Sequence, residues 1–94
     1  MRLSPEAIAS CNAILVAKRH SVHQIVDAVA QETGISAHDI MGESRKATIA
    51  RARQIVMYEA HLRGLTLSQI GGAMGRHHTT IMHGIRAERA RRTQ

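Results

Sequence analysis

Val22, Ile25, Val26 and Val29 recur at i, i+3, i+4 and i+7, the spacing that places apolar side chains on one face of an α-helix. Ser21, followed by Gln24, reads as a capping box that starts this helix, and Gly34 reads as its stop. The same periodicity organises the rest of the chain. Ser4 and Pro5 open an amphipathic helix over about 5–19, with Ile8, Cys11, Leu15 and Val16 on one face. A two-turn helix is expected from Ser36 to Met41, closed by Gly42. The polar, basic stretch Glu43 to Thr48 reads as a loop. A long helix over about 49–63 follows, stopped by Gly64, with Ile49, Ala52, Ile55, Val56, Ala60 and Leu62 as its candidate core positions. Two helices over 66–75 and 77–91 complete the pattern. The expectation is an all-α protein: an N-terminal helix within residues 1–20, then a compact domain of about five helices over 21–92.

The last two helices carry the sharpest local signal. Thr66 and Gln69 form a second capping box, Gly71 is a small residue four positions before Gly75, and apolar Ile81 lies six positions after it. A close helix crossing, a turn at Gly75 and an apolar anchor in that order define a helix-turn-helix. Its second helix opens on Arg76, His77, His78, Thr79 and Thr80, all able to hydrogen-bond a base edge or a phosphate. Gly72 and Gly84 also fall inside helices, where close helix approach is the plain explanation. Met41, Met57, Met74 and Met82 sit in apolar patterns and are expected to fill the core.

Charge sharpens this picture. The chain carries a net +6, and residues 43–94 hold ten Lys and Arg against three acids, so the basic excess surrounds the helix-turn-helix. Such a face is the footprint of a polyanion partner. Tyr58 is the only aromatic residue, which argues against single-strand or RNA binding by base stacking. Cys11 is the only cysteine, so no internal disulfide forms, and with no apolar run of membrane length a cytoplasmic protein is expected. His77, His78 and His83 lack the i, i+3 or i+4 spacing of helix-borne metal ligands, so neither metal nor cofactor is expected, and His83 is assigned to packing or bonding within the domain. No carboxylate cluster or nucleophile–base pair points to an enzyme, and no small-molecule ligand is expected.

The run Gly75-Arg76-His77-His78-Thr79-Thr80-Ile81-Met82-His83 closely resembles the Gly-Arg-Asp-His-Thr-Thr-Val-Leu-His motif of the C-terminal DNA-binding domain of the bacterial replication initiator DnaA. Ala52 to Met57 and Ser36 to Gly42 resemble the same domain, so the likeness covers roughly residues 21–88. No G-x-x-x-x-G-K-[ST] loop occurs, and the chain reads as that DNA-binding domain standing alone, a fold related to the Trp-repressor type. The resemblance implies sequence-specific binding of double-stranded DNA at DnaA-box-like sites, in transcription regulation or control of replication initiation. It implies base reading by His77, His78 and Thr79, with Arg45 in the adjacent minor groove. Phosphate contacts would fall to Lys46, Arg53, Gln54, Arg76, Thr80 and Arg86, and to backbone N–H groups near Leu67 and Ser68. The departure at His77, where the family has Asp, implies a changed base preference at one position. The alternative reading is an interaction module that pairs through residues 5–19 with a second copy or a replication or transcription protein and binds DNA only non-specifically.

Overall fold

The computed structural model describes residues 21–93, which form five α-helices and no strand. They are α1 over 21–33, α2 Ala37–Met41, α3 Ala47–Leu62, α4 Leu67–Met74 and α5 His78–Arg92. The expected helix 5–19, its Cys11 and the partner surface assigned to it lie outside the described residues. Ser21 is the first described residue and is helical, so the capping box expected there falls at the edge of the described residues. The stop is as expected: Gly34 adopts φ 74° and donates its N–H to the Ala30 carbonyl at 2.9 Å. Ser36 caps α2, its hydroxyl accepting from the Asp39 N–H at 3.1 Å.

The fully buried side chains Val22, Val26, Ile40, Val56, Ile70 and Ile81 come from every one of the five helices. One aliphatic core therefore fixes all five, and α3 runs along its middle. Gly84 brings α5 close to α3, since a Cβ there would collide with the Met57 sulfur. Gly72 is different from what the pattern predicts: nothing lies within 4 Å of a Cβ built on it, so no close crossing requires a glycine there. Met57 and Met74 are buried in the core, whereas Met41 and Met82 are only half-buried at its edge.

Two boundaries of α3 differ from the sequence reading. The helix begins at Ala47 rather than near Ile49, because the Lys46 carbonyl already accepts the Ala50 N–H at 2.8 Å. A polar, basic stretch with no glycine or proline offers nothing to prevent that first turn. Leu62 is 59% exposed and is not a core residue. Ala52, Val56, Met57 and Ala60 define the inward face, and Leu62 lies roughly 200° round the helix from Ala60. Ile49 and Ile55 are half-buried on the flanks.

Arg91 and Arg92 are engaged with α3 and with α5 itself. Glu88 is buried and pairs with Arg91 at 3.2 Å and Arg92 at 3.3 Å, and Arg92 also reaches Glu59 at 2.9 Å. The Arg92 guanidinium lies 4.3 Å from the centre of the Tyr58 ring. Among the described residues no helix is long and apolar enough to cross a membrane.

Candidate nucleic-acid interface

The turn between α4 and α5 is built by three local devices. Thr66 and Gln69 complete a reciprocal capping box at the start of α4, with bonds of 2.9 and 3.1 Å. Gly75 takes the left-handed conformation, φ 66° and ψ 36°, that reverses the chain after α4. Gly71 lets the exit from this turn pass close: a Cβ there would stand 2.5 Å from the Arg76 carbonyl oxygen. Beyond it α5 starts at His78, with His77 as its N-cap rather than its first turn.

His77 caps through its ring. The Thr79 N–H points at His77 Nδ1 at 3.3 Å, and the Thr79 hydroxyl lies 2.8 Å from the same nitrogen. The His77 and His78 rings stand 4.2 Å apart, tilted by 35°. His77, His78, Thr79 and Thr80 are all exposed, so the start of α5 presents four polar side chains to solvent, above Ile81 in the core. At the opposite end of α4, about 12 Å away by helix rise, helical geometry leaves the Leu67 and Ser68 N–H groups without intrahelical acceptors. Ser68 is exposed there and Leu67 half-buried.

The basic loop is held by two arginines, which is where the structure departs most from the residue roles expected. Arg53 is 7% exposed. Its Nε donates to the Ile40 carbonyl at 2.8 Å, Nη1 to the Ser44 carbonyl at 3.1 Å and Nη2 to the Asp39 carbonyl at 3.2 Å. It is an internal brace, not an outward-facing phosphate ligand. Burial first, and the charge of Arg76 second, pull its pKa below the usual arginine value. Arg76 is half-buried, and its Nη2 donates to the Gly42 carbonyl. Its Nε is buried without a hydrogen-bond partner. The expected phosphate role of Arg76 is thus replaced, for Nη2, by an anchor between the α4–α5 turn and the start of the loop.

These two anchors leave Arg45 and Lys46 exposed on a loop whose base is fixed. Glu43, Ser44, Arg45, Ala50, Arg53 and Arg76 line an open cleft of about 530 Å³ beside it. Gln54 is half-buried, and its side-chain oxygen accepts from Arg91 at 2.6 Å. Arg86 is exposed on the flank of α5. His83 is exposed as well, which corrects its assignment to packing or bonding within the domain: it lies two residues from buried Ile81, where the helix has turned outward. Among the described residues no group of three or more His, Cys, Asp or Glu is arranged to hold a metal ion.

A helix pair with a left-handed glycine turn, a polar N-terminus on the second helix and a braced basic loop beside it defines a helix-turn-helix module. The chain belongs to the bacterial dnaA protein helix-turn-helix family, whose model matches residues 22–87. It is 44% identical over 78 residues to the chromosomal replication initiator proteins DnaA of Neisseria meningitidis and Neisseria gonorrhoeae, covering 78% of this chain and 15% of each relative. It is 42% identical over 71 residues to the DnaA of Cereibacter sphaeroides, covering 73% of this chain and 16% of that protein. The chain thus spans about 15% of the length of the curated relatives it matches. No solved structure matches it.

Proposed function

We propose that this chain binds double-stranded DNA at DnaA-box-like sites, in control of replication initiation or of transcription. The start of α5 enters the major groove, where His77, His78 and Thr79 face base edges and Thr80 faces a phosphate. Arg45 enters the neighbouring minor groove, with Lys46 on the backbone beside it. The N–H groups of Leu67 and Ser68 at the start of α4 take a further phosphate, and Arg86 lies on the same helix as the reading residues. The role is that of a binding module needing no cofactor.

One observation carries this reading: the Arg76 bond to the Gly42 carbonyl ties the loop that bears Arg45 to the turn that launches α5. Two DNA-facing elements are thereby held on a single frame before DNA is met, as preorganised readout of adjacent grooves requires. The experiment is a selection from random duplex DNA at about 0.15 M salt, where exposed charges are screened beyond roughly 8 Å. A recovered motif close to a DnaA box is the expected outcome. Recovery of unrelated sequences would mean that the basic face binds phosphate without reading bases, and would overturn the reading.

A further inference from the structure

His77 is both the cap of α5 and an exposed side chain at its groove-facing start, and the first role fixes what it can offer in the second. A backbone amide always carries its proton, and the Thr79 N–H is aimed at His77 Nδ1. Nδ1 must therefore present its lone pair, since a proton on it would face the amide proton. In the neutral ring the other nitrogen, Nε2, then carries the hydrogen. Nε2 lies across the ring from the capped amide, so its N–H is directed away from the helix. The Thr79 hydroxyl oxygen lies 2.8 Å from the same nitrogen and crowds the ring on that side. The His78 ring, 4.2 Å away and tilted by 35°, restricts the orientation of the His77 ring.

We infer that His77 is a specificity-determining donor that favours guanine and rejects cytosine at the base pair it faces. This rests on the DNA-reading role proposed above and names the base that role implies at one position. Guanine offers two adjacent acceptors, N7 and O6, on its major-groove edge; adenine offers N7 beside an amino donor, thymine O4 beside a methyl group, and cytosine only its N4 amino donor. A fixed N–H meets guanine with a hydrogen bond and meets cytosine with two opposed donors, each stripped of water and unpaired. A net hydrogen bond of about 1.4 kcal/mol corresponds to about tenfold in binding.

The test uses two substitutions that keep the cap. Asp and Asn both serve well as N-caps, so His77→Asp and His77→Asn retain α5. Asp presents only acceptors to the groove. Asn, with its oxygen on the Thr79 amide, turns its NH₂ donor outward as His77 does. The wild-type chain and both variants are carried through the same selection from random duplexes, and the recovered sites are then compared by competition binding. The expected result is a guanine at one position for the wild type and for His77→Asn. For His77→Asp the same motif is expected with cytosine at that position, and an exchange of preference of about tenfold. Identical motifs for wild type and His77→Asp, or cytosine at that position for the wild type, overturn the assignment while leaving site-specific binding intact. Recovery of no motif by the wild type overturns the DNA-reading role and this inference with it.

Discussion

Replacing Arg53 with alanine separates a brace from a phosphate ligand. Arg53 donates three charge-assisted hydrogen bonds, at 2.8, 3.1 and 3.2 Å, to the carbonyls of Ile40, Ser44 and Asp39. Each such bond contributes about 1.5–3 kcal/mol in isolation, but bonds sharing one guanidinium do not add. The Asp39 carbonyl also keeps the Gly42 N–H as a partner at 3.2 Å. A cost of about 3 kcal/mol follows, which for a domain of this size lowers Tm by roughly 12–24 °C. Binding is then measured well below the lowered Tm, against cognate and scrambled duplexes, over a range of salt. The loop bearing Arg45 is no longer anchored at the Ser44 carbonyl, so preference for the cognate site should fall. The slope of log K against log salt should stay the same, because no phosphate contact has been removed. Unchanged thermal stability together with a slope reduced by about 0.9 would show that Arg53 neutralises a phosphate, and would refute the brace.

Four further single substitutions and one double substitution test the frame and its reading face. Gly71→Ala should destabilise by about 1–3 kcal/mol in chemical denaturation, because its Cβ would stand 2.5 Å from the Arg76 carbonyl. Gly72→Ala, one residue on with nothing within 4 Å, should instead stabilise by about 0.5–1 kcal/mol through helix propensity. His78→Ala and Thr79→Ala should each lose about 1–3 kcal/mol of discrimination between cognate and scrambled duplexes, with no change in Tm beyond a degree or two. Removing Arg91 and Arg92 together strands the buried Glu88 carboxylate, yet both arginines are about two-fifths exposed. Solvent screening therefore holds the expected loss of stability to about 1–2 kcal/mol, and high salt should narrow the gap to wild type.

Period and punctuation made most of the fold legible. The α1 stripe from Val22 to Val29, the Thr66 capping box and the turn at Gly75 are local devices, and local devices are written in consecutive residues. The misreadings share a different origin. Arg53 reads as a surface cation because its three acceptors are main-chain carbonyls, which every residue possesses and no sequence pattern announces. The Arg76 anchor is invisible in the sequence for the same reason, its partner being the carbonyl of Gly42 thirty-four residues away. Leu62 carries an apolar side chain at a position where the helix has already turned outward, and His83 carries a polar one next to a buried stripe. His77 falls between these cases: the sequence places it in the first turn of the helix, and because histidine is not among the preferred caps, its capping role comes only from the ring geometry.

The two braces give the reading surface a hierarchy. Gly71 admits the Arg76 backbone, the Arg76 side chain holds Gly42, and Arg53 holds the carbonyls on both sides of Gly42, at Asp39, Ile40 and Ser44. A disturbance at the α4–α5 crossing is therefore transmitted to the basic loop without passing through the hydrophobic core. Arg76→Ala and Arg53→Ala should behave as neighbours in a double-mutant cycle, the pair costing less discrimination than the sum of the two singles, because either one alone releases the same loop. A strictly additive pair would mean that each arginine acts on DNA by itself, and that α5 and the loop read their grooves independently.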